Sequence, residues 1–302
     1  MSELTFESGD SRYVLSLESG CNVFSWQCEG DELLYCPEGF PEVANGCFGG
    51  GNPLLFPSVG RTWDRSGAEP VADRFRLFGQ DEPFSMPCHG YIGPGSWNFL
   101  DRSVTGEDVE ARFEFEIAES ERLRFSPFDV GLRMTYRFGP RRLAMCAELT
   151  NCGNVTAPVA FGLHPYFCIS SKPEIAIELP CTHRMDLDEE LLIPTGISPL
   201  ESNVLTFAAG EGCDCGFVGA GGGEAVLRDS GAGRTVRIAG DANIDSFVVY
   251  SDTGDDFVCV EPWTRGCGQY EDLANDGWGE RGKLIVLAPG ETRAVNISFA
   301  ID

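Results

Sequence analysis

Val109-Glu-Ala-Arg-Phe-Glu-Phe-Glu-Ile117, Val130-Gly-Leu-Arg-Met-Thr-Tyr-Arg-Phe138 and Leu143-Ala-Met-Cys-Ala-Glu-Leu149 share one pattern: alternate positions are apolar. A period of two is that of a strand with one buried face and one wet face. Gly139-Pro-Arg141 separates the second and third runs, so they read as a long hairpin. Val295, Ile297, Phe299 and Ile301 repeat the pattern at the C-terminal end. Further strands are expected at 13–17, 236–238, 247–250, 257–260 and 284–287. No segment shows a convincing 3.6-residue period. Gly makes up 37 of 302 residues, well above the usual ~7%, which favours turns over long helices. The fold class that follows is all-β, with large antiparallel sheets packed face to face in a β-sandwich. No low-complexity linker divides the chain, so residues 1–302 are expected to form a single domain. Gly219-Ala-Gly-Gly-Gly223 reads as a surface loop, with a domain boundary as the weaker alternative.

Charge narrows the partners. The chain has 22 Lys+Arg against 47 Asp+Glu, a formal charge of −25. Nucleic acid and anionic membrane surfaces are disfavoured, because both need a basic patch. Lys occurs only at Lys172 and Lys283. Adaptation to salt and a simple Arg-rich composition both fit that bias. Met1 to Asp10 has neither a basic start nor an apolar run, and 150–171 is too polar to span a bilayer. A cytoplasmic location is the resulting expectation. The 13 Cys then read as mostly reduced thiols. Cys213-Asp-Cys215 is the only close pair; no C-x-x-C exists, and no structural metal site is expected. Gly49-Gly-Gly51 is followed by no Lys, which excludes a phosphate-binding P-loop.

Only three His occur: His89, His164 and His183. His183, beside a charged segment, reads as a structural side chain. His164 and Glu261 share a feature, since each immediately precedes a proline. A pre-proline residue is held in extended geometry, which helps to aim its side chain. A strand that simply ends at proline is the plainer reading. Yet an imidazole and a carboxylate are what a proton-in, proton-out reaction requires. Glu261 follows an apolar run, and burial there would raise its pKa. Trp63, Tyr91, Trp97, Tyr166, Phe167 and Trp263 all fall near these segments. Aromatic rings beside polar groups suit a sugar, although core packing explains any single ring as well.

Together these segments resemble a known family. Asn52-Pro-Leu-Leu-Phe-Pro-Ser-Val-Gly-Arg61, then His89-Gly90 with Trp97, then Gly162-Leu-His-Pro-Tyr-Phe167 are similar to successive signatures of the aldose 1-epimerases, or galactose mutarotases. Ile193-Pro-Thr-Gly196, Glu261-Pro-Trp-Thr264 and Leu287-Ala-Pro-Gly-Glu291 complete the series in family order. The likeness is nearest to the shorter bacterial branch. It implies a galactose mutarotase-like supersandwich and a cofactor-independent isomerase acting on a hexose. It also implies that Glu261 is the general base at the C1 hydroxyl and His164 the general acid at the ring oxygen. His89, Arg61 and Trp263 would bind the sugar. Asp214, ahead of Phe217, is the best match to a family Asp that holds sugar hydroxyls. The stretch between Gly90 and Trp97 lacks the Arg that relatives often carry, so local substrate contacts differ. Three other readings compete: a hexose 6-phosphate 1-epimerase using Arg65, Arg74 and Arg76, a non-catalytic carbohydrate-binding protein, and a glycoside hydrolase.

Overall fold

The alternating runs pair in register, apolar row to apolar row. Val109, Ala111 and Phe113 lie opposite Phe138, Tyr136 and Met134. Those in turn face Leu143, Met145 and Ala147, which lie opposite Phe299, Ile297 and Val295. A one-residue slip would turn every one of these side chains to solvent, so the hydrophobic pattern fixes the register. The wet face is matched as well. Glu110 sits opposite Arg137 and Glu114 opposite Arg133, at ion-pair distances of 2.8 and 2.7 Å.

The computed structural model describes residues 3–39, 49–188, 193–254, 256–266, 269–275 and 284–302. Its regular structure is almost all strand; among the described residues the one α-helical turn is Glu119–Arg122. A nine-stranded sheet runs in the order Ser96–Thr105, Asp108–Glu116, Val130–Gly139, Arg142–Asn151, Thr292–Ile301, Arg234–Gly240, Gly223–Asp229, Ile175–Glu178, Val204–Thr206. A second sheet runs Pro194–Pro199, His183–Leu187, Cys213–Val218, Ser246–Ser251, Phe257–Trp263, Gly162–Leu163, Leu54–Leu55. The short strand Tyr166–Cys168 also pairs with Phe257–Trp263. A four-stranded N-terminal sheet, Glu3–Ser8 to Asp31–Glu32, packs on the first: the Phe6 and Phe138 rings stack at 4.3 Å. Every ladder between these strands is antiparallel, as the all-β reading expected. One contiguous cluster of buried apolar side chains extends from Phe6 to Ile301. Residues 219–222 connect two strands, as expected of a loop, and Gly223 opens the second of them. Among the described residues no helix is long and apolar enough to cross a membrane.

Candidate active site

The strand Phe257–Trp263 is buried along its whole length in the second sheet. Side chains alternate across it, so Cys259, Glu261 and Trp263 share one face. Two short pieces pair with its far edge, with Gly162 opposite Trp263 and Tyr166 opposite Cys259. Continuing that register puts His164 directly across from Glu261. Both residues precede prolines, which lack the N–H a ladder needs. The pairing with this strand is interrupted over 163–165. The His164 N–H turns instead to the carbonyl of Pro53, 3.0 Å away. Thr264 closes the gap on one side, its hydroxyl accepting from the Phe161 N–H at 3.0 Å. The result is a His164 Nε2 to Glu261 Oε1 distance of 3.4 Å, with Glu261 1% and His164 7% exposed.

This pair lies in a cavity of about 480 Å³, whose walls include Arg61, Trp63, His89, Tyr166, Asp214, Tyr250 and Trp263. All six residues singled out from the sequence therefore border one space. Tyr166 stacks on His164 at 4.7 Å between centroids, and His89 meets His164 and Trp263 edge-on at 5.4 and 5.7 Å. The aromatic hint divides. Trp63, Tyr166 and Trp263 line the cavity, whereas Tyr91, Trp97 and Phe167 are packed in the core. His183 does not line it; its Nδ1 lies 2.9 Å from the Thr182 hydroxyl. A larger groove, about 720 Å³, runs over Glu114, Glu116, Arg133 and Glu148 on the wet face of the first sheet, and contains no histidine.

Each polar group is tuned by its surroundings. His89 sits in a turn at φ 66°. Its Nδ1 accepts the Gly60 N–H at 3.1 Å, so a neutral ring carries its proton on Nε2. Burial, helped by the nearby Arg61 charge, pulls its pKa down to about 4. His89 is therefore a neutral donor at physiological pH. Burial also pushes His164 well below the ordinary imidazole range, with His89 adding to the effect. Glu261 moves the other way: burial, and then the Asp214 charge, raise it well above the ordinary carboxylate range, while Trp263 opposes this. Glu261 Oε2 and His164 Nδ1 are buried without hydrogen-bond partners. Unsatisfied buried polar atoms are costly, and here they border a space a polyhydroxy ligand would fill. Arg61, half exposed, pairs with Asp73 at 3.2 Å.

The burial of Glu261 has a measurable cost. Below the ordinary carboxylate range the residue is protonated in folded and unfolded chains alike, so burial then carries no ionisation penalty. As pH rises past that range the unfolded chain ionises and the folded one resists, so stability is lost. Glu261→Gln is expected to unfold at a higher temperature than the wild type at about pH 8, and at the same temperature at about pH 4. Thermal melts at the two pH values check this. His164 carries the opposite sign, costing stability as pH falls below the imidazole range.

Several cavity residues are invisible in the sequence motifs. Tyr250 and Val248 come from the neighbouring strand Ser246–Ser251, and Met185 and Leu187 from His183–Leu187, on the far side of Cys213–Val218. Gly216 gives Met185 its room: a Cβ there would lie 1.9 Å from the Met185 Cε. Cys259 brings a third donor near the pair; ligand atoms of His164, Cys259 and Glu261 lie within 4.8 Å of one another. Burial pushes the Cys259 thiol well up, so it stays protonated.

The packed antiparallel sheets are the fold of the galactose mutarotase-like proteins. The family profile described as Aldose 1-epimerase matches residues 2–300, and the chain belongs to that family. Solved structures agree on the fold. The Slr1438 protein of Synechocystis sp. PCC 6803 superposes with a TM-score of 0.81 at 19% identity, covering 99% of this chain and 96% of its own. A galactose mutarotase-like protein from Clostridium acetobutylicum gives 0.80 at 16% identity, over 99% and 94% of the two chains. Another from Lactobacillus casei ATCC 334 gives 0.77 at 17%, over the full length of both.

Proposed function

We propose that the protein, working as one domain over residues 1–302, interconverts the α and β anomers of a free hexose. The observation that carries this reading is the opposed His164–Glu261 pair, buried at the cavity floor. Burial disfavours the charged form of both residues, pushing Glu261 up and His164 down. An entering sugar donates and accepts hydrogen bonds at both residues, which favours the ionised form of each. Glu261 then takes the C1 hydroxyl proton and His164 protonates the ring oxygen. The C1–O5 bond breaks, the C1–C2 bond rotates, and reclosure on the other face returns both protons. His89, through Nε2–H, steadies an oxygen near C1. Asp214 and Arg61 hold hydroxyls at the mouth, and the Trp263 and Trp63 rings cover apolar C–H faces. Spontaneous opening in water is already feasible, so an aligned acid and base are sufficient, and the reaction needs no cofactor.

A free sugar fits better than a sugar phosphate. Arg65 is engaged by Glu271 at 2.7 Å and Arg76 by Asp64 at 2.8 Å. Neither they nor Arg74 line the cavity, where Asp214 and Glu261 disfavour a dianion. With mutarotation of hexoses as the assay, a large excess of inorganic phosphate is expected to leave the rate unchanged at constant ionic strength. Competitive inhibition by phosphate, or a clear preference for hexose 6-phosphates, would overturn the free-sugar assignment.

A further inference from the structure

The strand Cys213–Val218 has two working faces. Asp214 and Gly216 look into the cavity, while Cys213 and Cys215, one residue to either side of Asp214, project from the back. Neither thiol has a place in the sugar chemistry. Both are half-buried, free and packed against the apolar core, and as residues i and i+2 of one strand they stand side by side on the same face. Cys215 Sγ also receives an N–H from the exposed guanidinium of Arg184 at 3.2 Å. The Cys213 S–H donates to the Val249 carbonyl at 3.4 Å. A half-buried sulfur that receives a bond from a cation, with a second thiol beside it on the strand, is the arrangement of a reactive thiol with its resolving partner.

We propose that Cys213 and Cys215 are a peroxide-responsive dithiol on the back of the cavity wall, closing to an intrastrand disulfide that displaces Asp214 on the front. The adjacent Cys213 thiol, with help from Arg184 and against the effect of burial, brings Cys215 down to about 6. The same contact pushes Cys213 well up. Cys215 is therefore the thiolate at neutral pH and Cys213 the reserve. The Cys215 thiolate attacks one oxygen of hydrogen peroxide, the O–O bond breaks, and a sulfenic acid forms with release of hydroxide. Hydroxide takes the Cys213 proton. The Cys213 thiolate then attacks the Cys215 sulfur, the S–S bond forms, and the sulfenic oxygen leaves as water after protonation. In total, two thiols and one peroxide give one disulfide and two waters, with both electrons supplied by the sulfurs.

Closure strains the strand. Residues i and i+2 of an extended strand lie about 6.6 Å apart, at the upper edge of the Cα separation a disulfide spans. Bonding draws the two ends together and buckles the residue between them, which is Asp214. The ladders Cys213 to Ser251 and Cys215 to Val249 loosen in consequence. The effect on sugar affinity rests on the proposed function; the thiol chemistry and the strand distortion do not.

The test uses the full chain with hydrogen peroxide as the probe, and exposed Cys152 as an internal control. In the reduced protein at neutral pH, iodoacetamide is expected to label Cys215 about tenfold faster than Cys152. Peroxide is expected to produce a 213–215 disulfide by peptide mapping, reversed by dithiothreitol and absent in Cys213→Ser and Cys215→Ser. Amides of 213–218 in the oxidised protein should exchange hydrogen at least tenfold faster. The KM for sugar should rise on oxidation in the wild type and in neither variant. Labelling of Cys215 no faster than Cys152, or oxidation that bypasses this pair, overturns the dithiol. A 213–215 disulfide with unchanged exchange and unchanged KM overturns the link to Asp214. Failure of the proposed function would show separately, as a reduced wild type with no activity on any hexose.

Discussion

Glu261→Gln is expected to lose about 10²–10⁴-fold in kcat for mutarotation while remaining folded. Gln keeps the shape and most of the hydrogen bonding of Glu but cannot accept the C1 proton. KM should therefore change little, the pattern of an interaction made only in the transition state. The fold should survive because the carboxylate is a structural cost: it is 1% exposed and one of its oxygens has no partner. The same variant is expected to be the more heat-resistant protein at alkaline pH. A stability gain together with a catalytic loss separates a functional carboxylate from a structural one, since breaking a structural contact lowers both. His164→Asn should show a comparable fall in kcat.

The second large effect is structural. Gly90→Ala is expected to destabilise the protein by about 2–5 kcal/mol, read as a lower urea midpoint with an unchanged slope. Gly90 has φ +88°, and a Cβ there would lie 2.0 Å from the Phe56 carbonyl oxygen. That oxygen accepts the Tyr91 N–H at 2.9 Å, and the Phe56 N–H donates to the His89 carbonyl at 3.2 Å. The substituted loop has to move away from Phe56, and His89 is its adjoining residue. Loss of the Gly60 bond to His89 Nδ1 would follow, so the folded fraction should also bind sugar more weakly. An unchanged midpoint would mean that the loop shifts freely and does not hold His89.

The sheets were largely legible in the sequence, since alternation at 109–117, 130–138 and 143–149 reports burial directly and burial fixes register. The site was legible only in its parts. The two pre-proline residues draw notice, but their opposition depends on Gly162 and Tyr166 pairing with Trp263 and Cys259, a long-range register that no local pattern encodes. The strand Cys213–Val218 is harder to read, because its alternation of Cys213, Cys215 and Phe217 with Asp214 and Gly216 is short and includes Asp and Gly, both weak strand formers. Tyr250, Met185 and Leu187 were missed for another reason. They look like ordinary strand residues, and only the order of strands in the sheet shows that they face sugar space. Trp97 illustrates the converse: its place near a motif pointed to the cavity, but its ring packs against Phe115 at 5.4 Å in the core.

The proposed reaction requires Glu261 and His164 to act as one acid–base unit. Polarimetry of freshly dissolved α-D-galactose and α-D-glucose tests it most directly, with the wild type, Glu261→Gln, His164→Asn and the double variant. The wild type is expected to equilibrate the sugar far faster than buffer, and each single variant to lose most of the acceleration. The double variant should be about as slow as either single one, because removing one member disables the other. A wild type no faster than buffer, single variants as active as the wild type, or losses that multiply in the double variant would each contradict it.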